Sequence, residues 1–273
     1  MNSVGLYIDN FDYPRLLKAP IDRKVKKPRT TIVMLHGIGN SAAGWDMVKE
    51  ALPKDARLIA IDLLGFGSSP KPAGASYSVR VQARSVAATL LKMGLTTRVV
   101  LVGHSMGSLV AVELAKRYPL LVRGMVLCAP PIYRDSDENE GIIPNSERVL
   151  KKVYSLTAKD AVEHPDFYIG LSKKVANVMP DSSTFSITDE TVAPYVATLK
   201  TSIINQTTYL DIQKLNIATY IIYGTLDPFV VNKNFKKLAK NNSNIKAKSI
   251  IASHEITKAY LKPITESIEA ILK

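Results

Sequence analysis

Ser105, Asp227 and His254 lie far apart in the chain, yet their types and settings allow them to act as one unit. The pentapeptide Gly103-His-Ser105-Met-Gly107 sets a serine between two glycines, where the apolar run 99–102 gives way to a helix-like pattern over 106–118. A serine on such a strand-to-helix corner is lifted to the carboxyl end of a sheet, where open α/β folds bind ligands. Glycine suits both flanking positions, because side chains there would collide at the corner and with the neighbouring element. The plainer use of Ser105 would be a helix N-cap. A serine hydroxyl attacks a carbonyl only if a base takes its proton and a third group orients that base.

The chain holds four histidines, so the base can be sought by elimination. His104 is fixed beside the serine, His36 ends the apolar run 31–35, and His164 lies in a segment without strand pattern. His254 follows the last strand-like run, in SIIASHEIT, on a loop at the sheet edge that carries Ser105. It is the expected base. The loop after the run 220–223 reads GTLDPFV; its only acid is Asp227, with Pro228 stiffening the chain beside it. Asp135, beyond the run 125–129, is the alternative acid. Acyl transfer also needs donors for a developing oxyanion. The Met106 amide opens the helix after the serine, and the Ile38 amide lies in HGIGN, where Gly37 and Gly39 let the backbone bend inward. No His/Asp/Glu spacing resembles a metal-ligand set. GFGSS (65–69) lacks the third glycine of a dinucleotide fingerprint and the lysine of a P-loop, so no cofactor is expected.

These residues need elements to hold them. Short apolar runs at 31–35, 58–61, 99–102 and 125–129 read as buried parallel strands, and 45–52, 79–93 and 106–118 between them read as helices. That alternation predicts an α/β fold with a doubly wound, mostly parallel central sheet. The rhythm stops after Pro131: an acidic loop at 135–141 and helical stretches near 146–156, 166–178 and 190–204 predict a helical cap over 131–215, inserted between core segments 1–130 and 216–273. Strand-like runs return at 220–223 and 248–251, with helices at 232–240 and 257–272.

With 46% apolar and 22% charged residues the composition is that of a globular protein able to bury a core. The one cysteine, Cys128, sits in an apolar run and reads as a buried thiol. No signal-peptide core opens the sequence, and no apolar window approaches the ~18 residues of a membrane span, so a cytoplasmic protein is expected. The net charge of +12 gathers in two clusters, 23–29 and 233–248, without the interleaved aromatics of a single-strand platform. A solvated basic face with at most weak attraction to an anionic surface is expected, and no nucleic-acid partner.

Five segments carry a wider resemblance: LHGIGNSAAGW (35–45), DLLGFGSSPKP (62–72), VGHSMGS (102–108), YGTLDPFV (223–230) and ASHEI (252–256). Over roughly residues 30–273 the chain resembles the α/β-hydrolase fold family with a helical cap, with serine, acid and histidine in the order that family uses. Haloalkane dehalogenases and epoxide hydrolases of that family use an aspartate where Ser105 stands. Carboxylesterases, lipases and serine hydrolases of carbon–carbon bonds in ring-fission products fit Ser105. HGIGNSAAGW resembles the last group, with Trp45 at the matching spacing, but that group tends to carry tryptophan where Glu255 follows the histidine. Ser253 also stands where the family often has glycine.

The resemblance implies a serine hydrolase of carboxylic esters with small to medium acyl chains. Carbon–carbon hydrolysis, a lyase or perhydrolase on the same scaffold, and a non-enzymatic binding protein are the alternatives. Gly37, Gly39, His104 and Trp45 are expected against a small-molecule substrate, with Ile38 and Met106 adding apolar walls. The segment 131–215 holds Tyr133, Tyr154, Phe167, Tyr168, Phe185, Tyr195 and Tyr209, a density near the chain average. Core packing accounts for most of them, and no aromatic box is implied.

Overall fold

Apolar side chains at successive positions of the short strand runs point to opposite faces, so each run feeds two hydrophobic layers. The computed structural model describes residues 12–96, 98–134, 145–178 and 185–273. Its strands are β1 (Ile21–Arg23), β2 (Thr31–Leu35), β3 (Arg57–Ile61), β4 (Val99–His104), β5 (Val122–Cys128), β6 (Ala218–Gly224) and β7 (Ile245–Ile250). They form one seven-stranded sheet in the order β1-β3-β2-β4-β5-β6-β7. All pairings are parallel except that of β1, which runs antiparallel to β3. Ile32, Met34, Val100, Val102, Val126 and Cys128 face one layer. Val33, Leu35, Val99, Leu101, Met125 and Leu127 face the other.

The helices between strands are α1 (Asp46–Ala51), α2 (Val79–Lys92), α3 (Met106–Arg117), α8 (Asn232–Asn241) and α9 (Lys258–Leu272), with α4 (Asn145–Glu163), α5 (Pro165–Val178), α6 (Val192–Thr198) and α7 (Thr208–Gln213) between β5 and β6. Ser78 caps α2 by accepting from the Val81 amide, and Gly94 at φ +76° lets the chain leave the helix. Among the described residues the stretch between β5 and β6 contains no strand. No helix there or elsewhere among them is long and apolar enough to cross a membrane. Cys128 is buried, and its burial pushes the thiol pKa up.

Several bounds differ from those the sequence predicts. β1 has only three residues and no apolar alternation, and α7 is a short helix in a segment with no strong period. The helix expected over 190–204 breaks into α6 and a π-wound turn, Leu199–Ile204. The alternative acid Asp135 and the acidic loop around it lie outside the described residues.

The register brings the carboxyl ends of the central strands into line. Leu35 is level with Gly103, His104 with Cys128, and Cys128 with Ile222. Helix α3 then starts so close to β2 that a Cβ on Gly107 would stand 2.1 Å from the Leu35 carbonyl oxygen. Neither backbone can yield without moving the sheet. Gly107→Ala is therefore expected to lower stability by about 2–3 kcal/mol in urea unfolding. At Gly170, inside α5, a Cβ would meet nothing within 4 Å, so Gly170→Ala is expected to gain about 0.5–1 kcal/mol.

Candidate active site

Ser105 joins β4 to α3 at φ +49° and ψ −123°, a conformation that costs a non-glycine residue about 1–3 kcal/mol. Its surroundings enforce the turn. The Ser105 amide donates to the Cys128 carbonyl of β5 at 2.9 Å, and the Ser108 amide donates back to the Ser105 carbonyl at 2.9 Å. A Cβ on Gly103 would meet the Gly107 carbonyl oxygen at 2.6 Å, which leaves glycine as the residue that fits. The Ser105 side chain makes no capping hydrogen bond, so the N-cap use is not the one the fold makes of it.

The hydroxyl is engaged elsewhere. Ser105 Oγ lies 3.0 Å from His254 Nε2, and His254 Nδ1 lies 2.8 Å from Asp227 Oδ2. A carboxylate only accepts, so Nδ1 carries the proton in the neutral ring and Nε2 is free to accept the serine proton. The other Asp227 oxygen accepts from the Phe229 amide at 2.8 Å, which satisfies a side chain with no exposure. The loops bearing Asp227 and His254 are tied together: the Thr225 amide donates to the Ile250 carbonyl at 2.8 Å and the Leu226 amide to the Ala252 carbonyl at 3.1 Å. A Cβ on Gly224 would stand 2.1 Å from the Ala252 oxygen, so the approach also depends on a glycine.

The remaining histidines near Ser105 hold backbone. His104 donates from Nε2 to the His254 carbonyl at 2.9 Å, with the two rings 5.2 Å apart. Burial pushes the His104 pKa down. His36 accepts from the Leu63 amide at 2.9 Å through Nε2 and donates to the Gly37 carbonyl at 2.7 Å through Nδ1. Burial lowers its pKa to about 4. Asp62 completes this framework: Oδ1 accepts from the Ala42 amide at 2.7 Å, and Oδ2 accepts from the Ser68 amide and hydroxyl, each at 2.8 Å. His36 and Asp62 shape the turn that carries Gly37 and Ile38, a role that no local pattern in their segments announced.

A cavity of about 370 Å³ opens over Ser105 and His254. Gly37, Ile38 and His104, three of the residues expected against a substrate, line it. Gly39, at φ +70°, approaches it through Phe185, whose ring a Cβ on Gly39 would strike at 2.5 Å. Two expected wall residues lie elsewhere. Trp45 is buried in the layer of the sheet that also holds Val48 and Ile256, and Met106 packs its side chain into the core and leaves only its backbone by Ser105. Among the described residues, neither the Ile38 nor the Met106 amide donates a hydrogen bond to the protein. The cavity is completed by Asn40, Pro131, Tyr154, Phe185, Tyr195, Leu199, Ile203, Phe229 and Glu255. Tyr154 and Tyr195 thus serve the cavity and not only the packing of their helices, Phe185 joins them from the segment before α6, and Tyr133 and Tyr209 are core residues. Their count carried no such signal; the direction of each ring is set by how the helices sit.

Residues 30–254 match the family model described as the alpha/beta hydrolase fold. Over 116 residues the chain is 36% identical to a "probable lysophospholipase BODYGUARD 4" of Arabidopsis thaliana, a match covering 42% of this chain and 28% of that protein. The chain thus spans about a quarter of the length of that curated relative. Among solved structures, the enol-lactonase of Burkholderia xenovorans superposes with a TM-score of 0.69 at 22% identity, covering 94% of this chain and 96% of the other. A thermophilic esterase of Thermogutta terrifontis superposes with a TM-score of 0.65 at 22% identity, covering 89% of each. These likenesses establish the shared fold.

The lowered pKa of His36 has a measurable consequence. The unfolded chain binds a proton on this ring near pH 6.5, and the folded protein only near pH 4. Stability is therefore complete above pH 6.5 and falls as the pH drops towards 4, by about 2 kcal/mol from this residue at pH 5. Urea unfolding at pH 7 and pH 5 is expected to show a smaller difference in His36→Gln than in the parent protein. Equal differences would assign the pH dependence to other groups.

Proposed function

Because the chain belongs to the α/β-hydrolase fold family, we propose that it is a serine hydrolase of carboxylic esters. One observation carries this reading: the continuous line from Asp227 to His254 to Ser105, at 2.8 and 3.0 Å, ending at the floor of a cavity of about 370 Å³. Ser105 attacks the acyl carbon while His254 Nε2 takes the hydroxyl proton, and Asp227 holds the ring in the productive tautomer and stabilises its charged form. The amides of Met106 and Ile38 receive the oxyanion, their N–H groups being free of protein acceptors among the described residues. His254 next protonates the departing alcohol. It then activates a water that releases the acid from Ser105.

In this reading the helices between β5 and β6 form a cap over Ser105, with α4, α6 and the turn after α6 supplying Tyr154, Tyr195, Leu199 and Ile203 to the walls. A cavity of this size and apolar character suits small to medium acyl groups. Every step draws on side chains, two backbone amides and water.

Turnover of p-nitrophenyl esters from acetyl to long acyl chains tests the reading. Activity is expected to decline for chains beyond about eight carbons, as they outgrow the cavity. Ser105→Ala is expected to lower kcat by at least ~10³, and Asp227→Asn by ~10³–10⁴. A parent protein that hydrolyses none of the series, or a Ser105→Ala variant that keeps full activity, would remove the esterase reading.

A further inference from the structure

The walls of the cavity differ in charge from the protein around them. The chain carries a formal net charge of +12, yet among the described residues no lysine or arginine lines the cavity, and Glu255 is its only acidic wall residue. The stretches outside the described residues, 1–11, 97, 135–144 and 179–184, contain no lysine, arginine or histidine, so none of them can bring a cationic side chain to the site. Glu255 follows His254 directly and makes no salt bridge among the described residues. Its carboxylate is close enough to His104 to oppose part of the effect of burial on that ring. Behind the site, Asp227 lies 2.8 Å from His254 Nδ1.

Aromatic rings supply the rest of the pattern. Phe185 and Tyr195 stand 6.1 Å apart and steeply inclined, and Tyr154 and Phe229 stand 6.3 Å apart. All four line the cavity. An aromatic face carries the negative end of a quadrupole, so it attracts an ammonium group and repels a carboxylate. A carboxylate within an aromatic-walled cavity is the chemistry that recognises alkylammonium groups.

We propose that Glu255 and the aromatic rings that line the same cavity select esters that carry a cationic group near the scissile bond and reject esters that carry a carboxylate. The inference rests on the esterase reading and adds the substrate class to it. The acyl or alcohol portion enters with its ammonium group against Glu255 and the aromatic faces, while the ester carbonyl lies over Ser105. The reaction is ordinary ester hydrolysis, and the ammonium group takes no part in bond making.

The test uses p-nitrophenyl esters of matched length: the neutral pentanoate, the trimethylammonio-substituted butanoate and the glutarate monoester. For the parent protein, kcat/KM is expected to favour the cationic over the anionic ester by roughly 10–100-fold. Reading the result as this ratio within each protein cancels any change in rate common to the substrates. Glu255→Gln should shrink the ratio about 5–10-fold, and Glu255→Lys should reverse the preference. A parent ratio near one, or a ratio that Glu255→Gln leaves unchanged, overturns the proposal.

Binding of the same three esters to Ser105→Ala by calorimetry separates charge selection from catalysis. Tighter binding of the cationic ester supports the inference even if the parent hydrolyses none of them, an outcome that would remove the esterase reading alone. Equal affinities for the cationic and anionic esters overturn the inference.

Discussion

The close start of helix α3 over the ends of β2 and β5 constrains everything around it. Gly107 lies against the Leu35 carbonyl, Gly103 against the Gly107 carbonyl, and Ser105 between them is left with a backbone that an isolated serine would avoid. Helix packing and the sheet ladder offset that strain, since the Ser105 amide is itself bonded to β5. The result is a hydroxyl that points away from the helix it precedes. Loosening the contact would let the serine relax into a capping position, and the line to His254 would be lost.

The supporting groups obey a related constraint. His36, His104 and Asp62 are all buried, and each bonds backbone amides or carbonyls of the loops at the carboxyl edge of the sheet. Buried polar groups are tolerated only when bonded in this way, so these side chains fix loop positions that apolar packing would leave free. His104 is the clearest case: it adjoins Ser105 in the chain and grips the carbonyl of His254 across the site. The backbone of the proposed base is therefore referenced to the proposed nucleophile by a neighbour of the latter.

Electrostatics divides the molecule in a similar way. Lys233, Lys236, Lys240, Lys246 and Lys248 lie exposed on α8 and β7, where water screens them, while the cavity gathers aromatic rings and a carboxylate. Net charge thus describes the exterior. Among the described residues the cavity lining holds no lysine or arginine, which is why composition alone is a poor guide to its charge.

Much of the architecture was legible in the chain because the parallel strands are continuous apolar runs and because Gly103, Ser105 and Gly107 make sense together only at a strand-to-helix turn. Elimination among four histidines and the single acid of GTLDPFV led to residues that the fold brings within hydrogen-bond reach. What the chain could not show were features without a local period: β1, three residues long and dependent on β3 for its pairing, and the roles of His36 and Asp62, which exist only once distant loops meet. Trp45, through the family resemblance, and Met106, through its place beside Ser105, are expected against a substrate, yet the layers of the sheet turn their side chains into the core. The aromatic lining was hidden for the same reason. Sequence determined which residues could do chemistry and roughly where each element runs, since both follow from local pattern. Only the tertiary structure decided which faces of α4 and α6 look onto Ser105, because that depends on packing between segments that no local pattern connects.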